Sequence, residues 1–315
     1  MKILITGGTG LVGSEIIHLC KLRGIEVNYL TTSKSKIKNS DFLQGFLWNP
    51  AKGEIDANCI EGVQAIINLA GATIVKRWSK SYKKTILQSR VDSLHTLYSL
   101  LSRQQNHEVT SLVSASAIGI YPSSLSNYYK EEDDVSETSF LNKVVSEWEN
   151  AADKFLDLNL KVSKIRIGLV LAQEGGALPK MAKPIKFYAG APLGSGEQWQ
   201  SWIHITDLAE LFLFAIKKNL IGVYNGVAPN PVTNSKLTKE IATVLKKPLI
   251  LPHVPEWFLR LVLGEMANVL FDSQRVSAKK IETLGFSFTY PNISGALEDI
   301  LSPDRELTSK QELAS

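Results

Sequence analysis

The sequence predicts an α/β protein with a doubly wound parallel sheet and a smaller, mostly helical C-terminal substrate lobe. Short apolar runs alternate with amphipathic segments through the first half of the 315-residue chain, which is typical of parallel strands joined by helical crossovers. The first apolar run opens into a glycine-rich turn. After residue 171 glycine and proline become frequent, which indicates long loops and a different architecture.

The opening segment is a strand, a glycine turn and a helix. An apolar run at residues 3–5 precedes Gly7, Gly10 and Gly13, and an amphipathic helix is expected at residues 11–22. In Rossmann folds such a turn brings backbone amides and the helix N-terminus close to the pyrophosphate of a dinucleotide. The residues that we expect to contact the cofactor here are Gly7, Thr9, Gly10, Leu11, Val12 and Gly13.

The same alternation predicts the other elements. Strands are expected at residues 26–32, 42–48, 65–69, 111–117, 162–171, 223–227 and 248–251. Helices are expected at residues 79–105 and 140–158. A further helix is expected to begin at a cap near Thr206 or Asp207, another to begin near Thr233, and three more to follow residue 251. A Rossmann domain over 1–170, rejoined by 200–228, would then precede a substrate lobe over 171–315. That lobe includes a small domain at about 245–301, and the polar tail after Leu301 is expected to fray.

The end of the second strand bears on the choice of cofactor. In a Rossmann unit an acidic residue at this place binds the adenosine ribose of NAD and repels the 2′-phosphate of NADP. This sequence has hydroxyl groups and a cation instead, which favours NADP over NAD. The residues concerned are Thr31, Thr32, Ser33 and Lys34.

Bulk properties exclude several classes of protein. A net charge of +4, from 35 basic and 31 acidic residues, is too small to indicate a nucleic-acid partner. The two cysteines cannot form a disulfide framework, so a reduced, cytoplasmic setting is expected. The apolar segment 254–271 contains charged residues and cannot span a bilayer; a buried helix pair is favoured over a peripheral amphipathic helix. No residue spacing predicts a metal site.

Several motifs occur in an order that resembles a known family. They are Thr6-Gly7-x-x-Gly10-x-x-Gly13, Asn68-Leu69-Ala70-Gly71, Ser114-Ala115-Ser116-Ala117, Trp202-Ile203-His204-Ile205-x-Asp207, Trp148-Glu149-x-Ala151-Ala152 and Ser273-Gln274-Arg275-Val276. Together they resemble the extended short-chain dehydrogenases/reductases, and within them the atypical epimerase-like subfamily. The resemblance implies an NADP-dependent oxidoreductase or epimerase, but it does not identify the substrate; we expect a carbonyl or nucleotide-sugar-like molecule. It also adds Asn68, Leu69, Ala70 and Gly71 to the expected cofactor contacts.

The catalytic motif of that family is incomplete in this sequence. Family members use a serine and a Y-x-x-x-K pair, in which the lysine assists proton transfer by the tyrosine. The resemblance assigns Ser116 as the serine, with Ser114 as the alternative, and Lys143 as the lysine. The tyrosine position is then Ser139, and none of the nine tyrosines precedes a lysine at the fourth place. A serine hydroxyl is too weak an acid to replace the phenol.

Two functions therefore remain open. If the protein is an enzyme, Tyr121 on the loop after Ser116 is the candidate proton donor; the alternative is that Tyr121 packs over the cofactor and that Lys143 is merely solvated. If it is not, it is a catalytically weak NADP-binding regulator. His204 is expected to be a core residue, and Arg166 to form a buried ion pair. The apolar face of helix 79–105 allows either a homodimer or burial within the monomer.

Overall fold

A computed structural model of the chain describes residues 1–104, 106–133, 135 and 139–302; residues 303–315, where fraying is expected, lie outside them. The strands, in chain order, are β1 Lys2–Thr6, β2 Glu26–Thr31, β3 Leu43–Asn49, β4 Glu54–Ile55, β5 Ala65–Asn68, β6 Ser111–Ala117, β7 Tyr128–Tyr129, β8 Lys161–Ile167, β9 Leu169–Leu171, β10 Trp199–Gln200, β11 Trp202–His204, β12 Gly222–Gly226, β13 Val232–Thr233 and β14 Arg275–Val276. The helices are α1 Leu11–Leu22, α2 Lys80–Arg103, α3 Phe140–Asp153, α4 Leu178–Lys186, α5 Ile205–Lys217, α6 Asn234–Val244, α7 Glu256–Leu263, α8 Asn268–Phe271, α9 Lys279–Thr283 and α10 Ile293–Leu301.

The main sheet has eight strands in the order β12-β8-β6-β5-β1-β2-β3-β4. Strand β1 pairs in parallel with β2 on one side and β5 on the other, with Ile5 opposite both Tyr29 and Ile67. Chain order therefore reverses at β1, and in such sheets ligands bind beyond the carboxyl ends of the strands at this point. The predicted Rossmann fold is confirmed.

The chain divides into two compact units. The first comprises Met1–Pro122, Asp134–Ile167 and Leu208–Tyr224, and the second Ser123–Asp133, Gly168–Asp207 and Asn225–Ser315. In the first unit, central strand residues such as Ile3 and Ile66 are fully buried. The second unit has its own apolar core around Trp202, to which α4, α6 and α10 contribute Ile185, Ile241 and Leu297.

The two long helices, α2 and α3, bury most of their apolar residues. In α3, Val144, Val145, Trp148, Ala151 and Ala152 all have less than 9% of their surface exposed. In α2 the apolar residues Ile86, Leu94, Leu97, Leu100 and Leu101 are buried, and Leu87, Val91 and Tyr98 are partly exposed. This supports the monomer-covered alternative for that helix. Residue 105, the expected end of α2, lies outside the described residues.

The strand expected at residues 162–171 is in fact two strands. Gly168 ends β8, and β9 pairs in parallel with β11 in a separate two-stranded sheet. The amide of Gly168 donates to the carbonyl of Gly226 (3.1 Å), and the amide of Leu169 donates to that of Ser201 (2.8 Å). A Cβ at Gly168 would come within 2.8 Å of Val227, so glycine permits the chain to change sheets here.

Three further expectations in the second unit are wrong. Helix α5 begins at Ile205 rather than at a cap near Thr206 or Asp207, because the Asp207 carboxylate instead accepts from the amides of Thr289 and Tyr290, each at 2.9 Å. Residues 248–251 form no strand, and their apolar members Ile250 and Leu251 are exposed. Between residues 252 and 302 there are four α-helices rather than three.

The expected burial of segment 254–271 is also wrong. Helices α7 and α8 contain no buried residue, and Trp257 and Leu261 are 69% and 75% exposed. The eight-residue helix α7 is amphipathic, but four of its apolar side chains, Trp257, Phe258, Leu261 and Val262, are exposed. Periodicity alone could not show this, because it marks an apolar face without showing what covers it.

Candidate functional site

The glycine turn joins β1 to α1 at the carboxyl edge of the sheet. Gly7 has a φ of +69°, and the amide of Gly10 donates to its carbonyl at 2.9 Å. A Cβ at Gly13 would meet the Gly7 carbonyl and lie 2.7 Å from the Cα of Gly8. Gly10 precedes α1 without a side-chain cap, so the turn leaves backbone amides at a helix N-terminus. These features fit a diphosphate.

Thr6 holds residues 68–71, the next segment expected to contact the cofactor, against the glycine turn. Its hydroxyl oxygen accepts from the amides of Leu69 (3.0 Å) and Ala70 (3.1 Å), and its proton goes to Oδ1 of Asn68 (2.8 Å). A Cβ at Gly7 would lie 3.1 Å from the backbone of Leu69. The turn at residues 68–71 and the glycine turn are therefore adjacent.

Helix α2 holds the far side of the turn at residues 68–71. Ser89 accepts from the amide of Ala72 at 2.9 Å, and Arg90 donates to the Ala72 carbonyl at 3.2 Å. The Arg90 guanidinium also packs over the ring of Trp148, 5.0 Å from its centroid. Burial lowers the pKa of Arg90 to about 10, so Arg90 remains a cation at neutral pH.

The segment after β2 provides hydroxyl groups and cations. Thr31 is buried and accepts from the amide of Ser33 at 3.3 Å, whereas Thr32 and Lys34 are exposed. A surface cavity of about 530 Å³ adjoins this segment, and its lining is Thr32, Leu47, Trp48, Asn49, Glu54, Ile55 and Asp56. It is large enough for part of a nucleotide. A second cavity, of about 650 Å³, lies near Glu61 and Glu108, which come shortly before β5 and β6 in the chain. This is the amino-terminal edge of the sheet, whereas ligands bind at the carboxyl edge.

A buried polar cluster lies at the ends of β6 and β8. Ser116 and Arg166 are paired residues of these strands, so their side chains lie on the same face of the sheet. The Ser116 hydroxyl donates to Oε1 of Glu149 at 2.5 Å, and Arg166 binds both oxygens of that carboxylate at 2.9 and 3.1 Å. Arg166 Nη1 donates to the Tyr121 hydroxyl at 3.0 Å. We call Ser116, Tyr121, Glu149 and Arg166 the polar tetrad.

The tetrad is shielded from solvent and contains an ion pair. The exposed fraction is 2% for Ser116 and Tyr121, 5% for Arg166 and 7% for Glu149. Burial alone would lower the pKa of Arg166, but the hydrogen bonds and charge of Glu149 raise it above its usual value. Arg166 is therefore a permanent cation between a carboxylate and a phenol. Its expected burial in an ion pair is confirmed.

The structure distinguishes the two candidate serines. Ser114 is fully buried, and its hydroxyl accepts from the Asn68 amide at 3.2 Å, which ties β6 to β5. Ser116 lies two residues nearer the carboxyl end and contacts Glu149. It is the serine that shares a cluster with Tyr121.

Lys143 lies apart from the tetrad. It is exposed on α3, while its neighbour Asn142 is buried and donates to the carbonyl of Ile120 at 2.6 Å. Ser139, at the tyrosine position of the family motif, accepts from the amide of Asn142 and caps the helix. Asn142 thus anchors the loop that carries Tyr121, a role that sequence reasoning missed.

Glu149 was also missed as a site residue. It occurs among the apolar residues of the inner face of α3, and Arg166 occurs in an apolar strand. A carboxylate and an arginine placed in this way are each costly to bury unless they pair. A carboxylate and an arginine that both occur among apolar residues were therefore the sequence signal for this buried pair.

His204 is a core residue of the second unit, as expected. It is fully buried; its Nδ1 accepts from the amide of Thr206 at 3.2 Å, and its Nε2 lies 3.2 Å from Asp299. Over the described ranges, no cluster of three metal-ligating side chains occurs, and no helix has the length and apolar character that a membrane crossing requires.

Comparison with known proteins gives consistent results. Residues 3–225 match the NAD dependent epimerase/dehydratase family, and residues 254–300 match a domain of unknown function (DUF1731). An epimerase family protein of Staphylococcus aureus (strain MRSA252) is 39% identical over 305 residues, covering 96% of this chain and 99% of the relative.

Two solved structures are similar along the chain. The human epimerase family protein SDR39U1 (isoform2), solved with NADPH, has a TM-score of 0.83 and 28% identity, covering 96% of this chain and 100% of that one. A nucleoside-diphosphate sugar epimerase from Corynebacterium glutamicum has a TM-score of 0.77 and 27% identity, covering 99% of this chain and 61% of that one.

Proposed function

The chain belongs to the NAD dependent epimerase/dehydratase family, and we propose that it is an NADP-dependent oxidoreductase or epimerase. Its substrate would be a small carbonyl or nucleotide-sugar-like molecule. The observation that carries the proposal is the glycine turn, in which a Cβ at Gly7 or Gly13 would press against neighbouring backbone atoms, so that glycine is needed for the tight turn at this helix N-terminus. The human relative of 28% identity was solved with NADPH, which supports the same use of this turn.

The cofactor would lie along three segments. The pyrophosphate would bind the amides of residues 7–13, and residues 68–71 would border the nicotinamide side. The 2′-phosphate would bind Thr31, Thr32, Ser33 and Lys34, because hydroxyl groups and an ammonium group suit a phosphate. When bound, NADP(H) supplies or accepts the hydride.

The protein's own part in the reaction is proton transfer and orientation. Ser116 would orient the substrate oxygen, and Tyr121 would exchange a proton with it. Arg166, 3.0 Å from the Tyr121 hydroxyl, would stabilise the phenolate that remains. In this role it replaces the lysine of the usual motif, while Lys143 would act only by contact with the cofactor.

Glu149 limits how strongly Arg166 can act. Its carboxylate binds Arg166 in a bidentate pair and also accepts from Ser116, so it offsets part of the charge that faces Tyr121. We therefore expect slower proton transfer than with an unpaired lysine.

A second candidate function is a catalytically weak, NADP-binding regulator. The specific observation that favours it is the shielding of Ser116 and Tyr121, which each expose 2% of their surface, together with the exposed position of Lys143. Both candidates require NADP binding, and only the first requires turnover.

The test is oxidation of NADPH with a panel of aldehydes, ketones and nucleotide sugars. On the enzyme proposal, Ser116→Ala and Tyr121→Phe each reduce kcat at least ~100-fold, the usual size of a lost acid–base group, without weakening NADPH binding. Matched controls are Ser163→Ala and Tyr224→Phe, which alter other buried hydroxyl groups and should retain activity. NADPH binding without turnover would favour the regulator.

We also infer a cytoplasmic protein with small-molecule ligands. Both cysteines are free and buried, which suits a reducing compartment. A homodimer is compatible with this proposal but is not needed for it.

A further inference from the structure

We propose that the second unit contains an oxyanion-binding site at Arg275, which accepts a carboxylate or phosphate group of a small ligand. The guanidinium packs over two aromatic rings, 4.4 Å from the centroid of Trp199 and 5.0 Å from that of Tyr128. These contacts engage the π system of the cation and not its N–H groups. Its edge, which carries the N–H donors, is what remains for a ligand.

The backbone holds this arrangement in place. Strand β14 pairs in parallel with β7, which puts Arg275 beside Tyr128. The Trp199 amide donates to the Ser273 hydroxyl (3.0 Å), and its indole N–H donates to the carbonyl of Leu125 (3.0 Å). Hydrogen bonds thus position Trp199, and strand pairing positions Tyr128, without a ligand.

What points to a ligand is that Arg275 has no acceptor in the described part of the chain. Its Nε is buried without a hydrogen-bond partner, and the guanidinium forms no ion pair there. Arg260 in the same unit gives the contrast: it packs on Phe271 at 5.7 Å but also pairs with Glu256 at 2.6 Å. Partly buried arginines normally have an acceptor.

Nearby acidic residues are engaged elsewhere. Glu132 pairs with Lys280 at 2.9 Å, and Glu131 accepts from the amide of Asn225 at 2.8 Å. Asp272 interacts with Arg260. Among the described residues no carboxylate pairs with Arg275, and we assign a ligand as its partner. Since a planar guanidinium edge matches two oxygens of one group, a carboxylate or phosphate is the fitting class.

The site is open to a ligand from solution. Tyr128 is 42% exposed, and Arg275 and Trp199 are partly exposed. The proposal uses residues of the second unit only. It does not depend on the cofactor proposal, so NADPH titration can fail or succeed independently.

The experiment titrates the full-length protein with inorganic phosphate, and separately with malonate, against sodium chloride at equal ionic strength. The readout is the ¹⁵N–¹H resonance of the arginine Nε groups, with Arg275 assigned by its loss in Arg275→Lys. We expect a saturable shift of the Arg275 resonance and none of Arg260. Apparent affinity, measured by calorimetry, should fall at least tenfold in Arg275→Lys and remain unchanged in the matched control Arg260→Lys.

Saturation by phosphate alone identifies a phosphate ligand, and saturation by malonate alone identifies a carboxylate. A Trp199→Leu variant should also bind more weakly, because it removes one wall of the site. Circular dichroism of each variant checks its fold. If neither anion shifts Arg275 more than chloride does, or if Arg260→Lys lowers affinity as much as Arg275→Lys, the proposal is overturned.

Discussion

The hydroxyl of Ser116 and Nε of Arg166 bind the same oxygen of Glu149, at 2.5 and 2.9 Å. The two residues are partners on adjacent strands, and the carboxylate comes from the helix above them. One buried acid therefore organises both the candidate catalytic serine and the cation beside Tyr121. This relationship makes Glu149 a positioning residue for the proposed reaction.

Replacement of Glu149 by glutamine should lower the free energy of unfolding by about 3 kcal/mol, because it leaves the Arg166 cation buried without a charged partner. Urea denaturation measures the change. The exposed Glu147 on the same helix provides the control, and Glu147→Gln should alter stability by less than about 0.5 kcal/mol. Equal effects of the two changes would show that the ion pair contributes nothing specific.

Introduction of a methyl group at Gly13 should abolish cofactor binding. In Gly13→Ala the new Cβ meets the backbone of Gly7 and Gly8, so the turn must open and its amides lose their alignment. We expect NADPH affinity, measured by fluorescence titration, to fall at least ~100-fold, a loss of about 2.7 kcal/mol. Gly295→Ala, where a Cβ meets nothing within 4 Å, should bind as the unchanged protein does. Retained NADPH binding in Gly13→Ala would contradict the proposal that the glycine turn binds the pyrophosphate.

The charge at Lys34 should decide between the two nicotinamide cofactors. Lys34→Glu is expected to weaken NADPH binding at least ~10-fold, since it replaces attraction to the 2′-phosphate with repulsion. NADH binding should change by less than about threefold. The exposed Lys52 is the matched control, and Lys52→Glu should leave the NADPH/NADH ratio unchanged. If Lys34→Glu leaves the NADPH/NADH affinity ratio unchanged, the argument for NADP over NAD fails.

The two thiols should be unreactive in the native protein. Burial raises the pKa of both Cys20 and Cys59 to about 12, an effect that Arg23 only partly offsets at Cys20 and that Asp56 reinforces at Cys59. At pH 8 about one thiol in 10,000 is then ionised, and the thiolate is the reactive form. A colorimetric thiol reagent should label neither cysteine before unfolding and both afterwards. Rapid labelling of the native protein would show that one of them is accessible.

The cofactor segments can be predicted from the sequence because their signals are local. The spacing of Gly7, Gly10 and Gly13 reflects the backbone conformation of a single turn. The hydroxyl groups and the lysine after β2 stand at one strand end, where an NAD-binding protein would have an acidic residue. The apolar faces of α2 and α3 can be predicted for the same reason, because helical periodicity is written in consecutive residues. The prediction failed at Gly168, where the chain passes from one sheet to another. It also failed at α7, where apolar residues expected to be buried are exposed.

The sequence by itself determined the α/β fold, the glycine turn, the absence of the Y-x-x-x-K pair and the apolar inner face of α3. Only the tertiary structure decided what each polar side chain contacts. It joined Ser116, Tyr121, Glu149 and Arg166, left Lys143 outside that cluster and placed Arg275 against the rings of Trp199 and Tyr128. The physical reason is distance along the chain: Tyr121 and Arg166 are 45 residues apart. Their 3.0 Å contact depends on strand register and helix packing, which no local pattern encodes.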